Sequence, residues 1–166
     1  MAVAASGLEV LAGLQAGNPV DALPVVHKLV LEIARETLSE AGEVPGTTGV
    51  KVGDLRRTAA AKLASWGVSA LTDDALLLVS ELVTNGLRYG AGQHIEFRLA
   101  LAEDVLVVEV EDRSPSRPVL RDAGLDATSG RGLVLVDALA TAWGVSEDGT
   151  RTWCALKVPS AEGARS

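Results

Sequence analysis

The chain has 166 residues, 48% of them apolar, with 22 acidic side chains against 15 Lys and Arg and a net charge of −7. That length suits one domain with a buried core, the apolar content excludes a disordered chain, and the negative charge excludes a general binder of nucleic-acid backbones. No apolar run is long enough to span a bilayer, the stretch Met1 to Glu9 lacks the basic start of a signal peptide, and the few aromatics (Trp66, Trp143, Trp153, Tyr89, Phe97) make no stacking platform for single strands. A compact cytoplasmic protein is the expectation.

Residues 1–20 read as weakly structured, punctuated by Gly13, Gly17 and Pro19. Val26, Leu29, Val30 and Ile33 recur at helical spacing and predict a helix within 24–40. Gly42, Pro45, Gly46 and Gly49 then read as a loop. Asp54 is a plausible N-cap for a helix running to Trp66 with Leu55, Ala59 and Leu63 on one stripe, ended by Gly67. Thr72 or Asp73 can cap the next helix.

Gln93 to Leu101 and Val105 to Glu111 read as a strand pair turning at Ala102-Glu103-Asp104. A polar loop over 113–129 is long enough to be functional. Gly130 to Trp143 reads as a buried helix, apolar nearly all round. Two further strands flank Glu147-Asp148-Gly149-Thr150, where Asp-Gly favours a primed turn. The lone Cys154 falls in the second of these strands as a small core residue, which leaves neither a disulfide nor a cysteine metal site. Residues 159–166 are expected to fray. The sum is a two-layer α/β sandwich, a largely antiparallel mixed sheet with helices on one face. The domain proper would span 51–158, with residues 1–50 as an N-terminal extension.

The segment Glu81-Leu82-Val83-Thr84-Asn85-Gly86-Leu87-Arg88-Tyr89-Gly90 carries the most chemistry. At about 100° per residue, Leu76, Val79, Val83 and Leu87 fall on one side of a helix and Glu81, Asn85 and Arg88 on the other. An amide oxygen can ligate Mg²⁺ and a carboxylate can act as a base. Taken alone, the segment fits equally a solvated polar face closed by Gly90 as C-cap.

Three blocks in order separate these readings. After the Glu-x-x-x-Asn helix comes a strand ending in Asp112, then Arg113-Ser114-Pro115-Ser116-Arg117-Pro118, then Ser129-Gly130-Arg131-Gly132-Leu133 opening a helix. This order resembles the GHKL ATPase superfamily of DNA gyrase, Hsp90-type chaperones, histidine kinases and MutL, over roughly residues 54–158. Ser80 to Asn85 together with Asp112-x-Ser114-x-x-x-Pro118 is most similar to its stand-alone bacterial branch, which includes the anti-sigma-factor serine/threonine kinases.

The resemblance implies a histidine-kinase-like ATPase (Bergerat) fold that binds ATP and Mg²⁺. It implies that Asn85 ligates the metal, that Glu81 takes a proton from the attacking hydroxyl, and that Asp112 accepts a hydrogen bond from the adenine amine. Gly130, Arg131, Gly132 and Leu133 would meet the phosphates at a helix N-terminus, with Arg88 and Ser114 beside the nucleotide. Arg121, Asp126, Thr128 and Ser129 would belong to a lid. Thr150 and Thr152 both qualify as the support of the adenine-binding Asp. Ser114 and Ser116 stand where the best-known superfamily pattern, Asp-x-Gly-x-Gly, has glycines. The implied activity is transfer of the ATP γ-phosphate to a serine of an anti-anti-sigma-like partner, with sequestration of a sigma factor by partner switching. The alternative is a non-catalytic ATP-sensing module. A homodimer is compatible with either.

Other polar residues read as structural. His27 and His94 have no nucleophile or metal-spaced partner nearby, so packing or surface roles are expected. Arg56 and Arg57 read as a solvated first turn, or as contacts to a second subunit or a protein partner.

Overall fold

The computed structural model describes Val20 and residues 23–36, 47–113 and 130–159. Its elements in chain order are β1 (His27–Ala34), α1 (Thr47–Ser65), a 3₁₀ turn (Ser69–Leu71), α2 (Thr72–Tyr89), β2 (His94–Leu101), β3 (Val105–Glu111), α3 (Gly130–Leu139), β4 (Ala142–Val145) and β5 (Arg151–Lys157). The strands form one sheet in the order β1-β2-β3-β5-β4. Every pairing among them is antiparallel, so the parallel component that a mixed sheet would need is missing from the described strands. The expected weak structure of residues 1–19, the lid loop over 114–129 and the tail from 160 lie outside the described residues.

Where the sequence predicts a helix over 24–40, residues 27–34 form the strand β1, and 37–40 lie outside the described residues. Leu29, Leu31 and Ile33 are half-buried and alternate with exposed Lys28, Val30 and Glu32, a period of two. The helical spacing of Val26, Leu29, Val30 and Ile33 is coincidental, because Val26 and Val30 face solvent. β1 pairs with β2 along its whole length, from His27 opposite Leu101 to Ala34 opposite His94. His27 stacks on Trp66, ring centroids 5.5 Å apart and 9° from parallel, which gives this histidine a packing role.

α1 starts earlier than the sequence indicates. Val52 extends the buried stripe of Leu55, Ala59 and Leu63, and Gly49 and Gly53 are helical. Asp54 therefore lies inside the helix, not at its cap; it pairs with Arg57, and its carbonyl accepts from the Thr58 hydroxyl at 3.1 Å. The helix ends as expected at Gly67, whose φ of +79° is left-handed. The amides of Gly67 and Val68 return to the carbonyls of Ala64 and Leu63 at 3.1 and 3.0 Å, a Schellman closure.

α2 lies across the sheet. It buries Ala75, Leu78, Val79, Leu82, Val83, Gly86 and Leu87, and each large apolar side chain contributes roughly 1.5–3 kcal/mol. Neither Thr72 nor Asp73 caps it. Leu71 holds the cap position without a side-chain bond, because the 3₁₀ turn runs straight into the helix. Asp73 and Asp74 in the first turn and Arg88 in the last complement the helix dipole.

α3 is shorter than expected. Past Leu139 the Thr141 amide bonds the Ala155 carbonyl at 2.8 Å, drawing the chain into the sheet and placing Trp143 in β4. Val136 is buried while Val134 is exposed, so α3 buries one side and not its whole circumference. The β4–β5 hairpin closes with Gly149 at φ +80°, but no residue before it in the turn has a positive φ, so the primed turn is not formed. Instead the Gly149 amide bonds the Ser146 carbonyl at 2.9 Å. The Asp148 carboxylate accepts from the Ser146 and Thr150 hydroxyls at 2.6 and 2.7 Å, bonds that hold its pKa down at about 2.

The helices cover one face of the sheet, against Ile95, Phe97, Leu99, Leu106, Val108, Val110, Cys154 and Leu156. Burial pushes the Cys154 thiol up, and it stays a core residue. The other face is half apolar. Val20 and Leu23 cover Ala100, Ala102, Val105, Val107, Trp153 and Ala155. Further along the same face lies Glu109, 1% exposed, with Arg151 Nη1 at 3.6 Å and Arg98 Nη1 at 3.8 Å. Two guanidiniums compensate the buried carboxylate, which unpaired would cost several kcal/mol.

Candidate functional site

The C-terminal half of α2 carries the polar stripe read from the sequence. Glu81, Asn85 and Arg88 are half-buried while their neighbours Leu82, Val83, Gly86 and Leu87 are buried. The carboxylate of Glu81 and the carboxamide of Asn85 make no hydrogen bond or ion pair among the described residues. Desolvation of Glu81 raises its pKa above the ordinary carboxylate value. Arg88 lies over the Tyr89 ring, its guanidinium carbon 5.6 Å from the centroid.

Two glycines bring this stripe to the end of β3. At Gly86 an added Cβ would meet Val110 Cγ1 at 2.9 Å and Ile95 Cδ1 at 3.3 Å. The helix beside Asn85 thus lies directly on the strand that leads to Asp112. At Gly90 an added Cβ would lie 2.5 Å from the Gly86 carbonyl oxygen and 2.9 Å from that of Asp112. Hydrogen bonds fix Asp112 from both sides: its amide donates to the Thr150 carbonyl, and its carbonyl accepts from the Ala91 amide, each at 2.9 Å. Arg113 follows with φ +59°, a left-handed conformation that costs a non-glycine residue about 1–2 kcal/mol and turns the chain sharply after Asp112.

The two threonines separate. The Thr150 hydroxyl is committed to Asp148, and Thr150 serves Asp112 through its carbonyl. Thr152 pairs with Val110, which faces α2, so its buried side chain lies on the helix side of the sheet. Its hydroxyl makes no hydrogen bond among the described residues. Gly130, Arg131, Gly132 and Leu133 form the first turn of α3 in backbone, where amides have no intrahelical acceptor; their side chains, and Ser114, lie outside the described residues. Among the described residues no three His, Cys, Asp or Glu side chains converge as a metal cage. A single amide ligand beside phosphate oxygens and water is a set that Mg²⁺ accepts, and Asn85 fits it.

Sequence reasoning missed Gly86 as a determinant. A helix-interior glycine costs about 1 kcal/mol against alanine, and that cost was the available signal that a close approach required it. It also missed Arg56, read as a solvated first turn. Its guanidinium donates to the Ser80 hydroxyl at 2.7 Å and so ties α1 to α2 one residue before Glu81.

A polar stripe beside the buried face of α2, an acid fixed at an adjoining strand end and the start of α3 lie on an α/β domain of helices against an antiparallel sheet. The family model of the histidine kinase-like ATPase domain matches residues 46–156, and the chain belongs to that family, within the ATP-binding GHKL superfamily. A comparison with curated proteins returns no match. No helix among the described residues is long and apolar enough to cross a membrane.

Proposed function

We propose that this chain is an ATP- and Mg²⁺-dependent protein serine/threonine kinase of the anti-sigma type, which phosphorylates an anti-anti-sigma-like partner and exchanges it for a sigma factor. The observation that carries the reading is the pairing of Glu81 and Asn85, unspent and half-buried on α2, with Asp112 fixed at the foot of the same helix by Gly90. Asp112 would accept from the adenine amine, which selects a purine with a donor at that position against guanine, whose oxygen is an acceptor there. Thr152, with its open hydroxyl on the helix side, is the better support of that acid, while Thr150 positions it through the backbone.

The first turn of α3 would hold phosphate oxygens on backbone amides at the positive end of the helix dipole, with Arg131, Arg88 and Ser114 alongside. Asn85 would hold Mg²⁺, which when bound neutralises phosphate charge. Glu81 would take the proton from the partner's serine hydroxyl as its oxygen bonds to the γ-phosphorus and ADP leaves. Such catalysis is mostly positioning and electrostatics.

Glu81→Gln should leave ATP affinity within about twofold while lowering phosphoryl transfer ~10²–10⁴-fold, the worth of a general base. The check is radiolabelled γ-phosphate transfer onto a panel of purified anti-anti-sigma proteins beside a calorimetric titration of ATP. ATP binding without transfer to any acceptor would select the non-catalytic ATP sensor, a reading for which the serines at 114 and 116 leave room.

The pH dependence follows from the raised Glu81 pKa. The base works ionised, so activity is full above the folded pKa and falls as pH drops through it. That acid limb should lie higher than for an ordinary glutamate and vanish in Glu81→Gln. A wild-type rate–pH profile flat across the range where a raised carboxyl titrates would remove Glu81 as the base.

A further inference from the structure

We propose that Arg35 is a positioning residue of the nucleotide site, a clamp on the loop after α2 that keeps Asp112 in place; this rests on the reading of Asp112 as the adenine-binding acid. Arg35 follows β1 directly, and its amide continues the β1–β2 ladder by donating to the Gln93 carbonyl at 2.7 Å. Its guanidinium Nη1 donates to the carbonyl of Gly92, also at 2.7 Å. Arg35 thus grips two consecutive carbonyls of the loop, one with its backbone and one with its side chain. The residue before Gly92, Ala91, gives its amide to the Asp112 carbonyl at 2.9 Å. The link from β1 to the acid therefore runs through one dipeptide, Ala91-Gly92.

The loop needs an outside hold because its own sequence supplies little. Gly90-Ala91-Gly92 sets two glycines around an alanine, and glycine has the freest backbone of any residue. Ala91 and Gly92 are exposed, and Gly92 stands at φ +82°, so packing does not anchor them. An added Cβ at Gly92 would lie 3.8 Å from Arg113 Cδ. The residue after Asp112 therefore reaches back to the same glycine that Arg35 holds.

The residues flanking Arg35 are held by α1. Lys51 Nζ donates to the Ala34 carbonyl at 2.8 Å and pairs with Glu36 at 3.5 Å. The Arg35 Nε–H is buried with no acceptor among the described residues. An unmet buried donor is destabilising, so the position serves the bond to Gly92 and not the side chain's own solvation. Arg35 also stands ahead of residues 46–156, outside the span that the family model matches. The site would then depend on a residue that the shared domain does not include.

Titration of the full chain with MgATP and with MgGTP reads the placement of the acid as a preference between two bases, a ratio that loss of folded protein does not move. Asp112→Asn should bring the preference near unity, since a carboxamide can donate to guanine as well as accept from adenine. Arg35→Met, similar in length but without a donor, should lower it roughly fivefold, what one hydrogen bond contributes. Arg35→Lys, which keeps a donor, should hold it within about twofold of wild type. In the Asp112→Asn background Arg35→Met should change it no further. Without nucleotide, the Ala91 amide should exchange its hydrogen about tenfold faster in Arg35→Met than in wild type. Arg35→Gln, shorter and polar, serves the same comparisons should Arg35→Met not fold. A preference lost in Asp112→Asn but kept in Arg35→Met, or an unchanged Ala91 exchange rate, would overturn the clamp and leave the adenine reading standing. A preference kept in Asp112→Asn would overturn the adenine reading, and the clamp's role with it.

Discussion

Replacing Asn85 by alanine should weaken ATP binding roughly 10–100-fold in the presence of Mg²⁺, the ~1.5–3 kcal/mol that an interaction with a charged group is worth. The residual binding should no longer respond to chelation of the metal. The fold should survive, because the carboxamide bonds no described residue and substitutions of that kind usually stay within about ±0.5 kcal/mol of wild type. Isothermal titration of ATP with Mg²⁺ and with EDTA, alongside thermal melts, separates the two effects. Equal affinities for wild type and variant in Mg²⁺ would take the metal away from Asn85 and leave the helix stripe as a solvated face.

A second large effect is expected at Gly90. Its missing Cβ makes room for two backbone oxygens, those of Gly86 and Asp112, and backbone yields less readily than a side-chain tip. Gly90→Ala should therefore force the end of α2 away from Asp112. The expected loss is about 1–3 kcal/mol, typical of overpacking, or several degrees in Tm, together with weaker ATP binding because the acid shifts relative to Asn85. Gly86→Ala is the informative comparison. There the obstacle is a methyl of Val110, and alanine regains about 1 kcal/mol of helix propensity, so the net destabilisation should be smaller. If Gly90→Ala melts and binds like wild type, the contact between the helix end and Asp112 does not govern the site.

The parts of this fold that were legible in the sequence are those where one period acts alone. Leu78, Val79, Leu82, Val83 and Leu87 leave no reading of α2 but a helix, and the short β-branched run of β3, buried on both faces, reads as a strand. β1 escaped because His27-Lys28-Leu29-Val30-Leu31-Glu32-Ile33 satisfies both periods, and only the exposure of Val30 decides between them. The start of α1 escaped because Gly49 and Gly53 look like loop punctuation, although burial of Val52 makes a helical turn there worthwhile. The family was legible from the order of the motifs; helical spacing gave the stripe on α2 and nothing more. What brings the stripe to Asp112 is the absence of two methyl groups, at Gly86 and Gly90, and an absent atom leaves no periodicity to read.

The apolar patch beneath Val20 and Leu23 sets a practical limit on how this protein can be trimmed. A fragment cut to residues 46–156 would keep Glu81, Asn85, Asp112 and the start of α3, and would satisfy the family pattern. It would also strip the cover from Val105, Val107 and Trp153 and leave β2 as a bare hydrophobic margin. Such a fragment would carry the chemistry on a surface prone to clump. The boundaries of the ligand site and those of the folding unit are different lines on this chain.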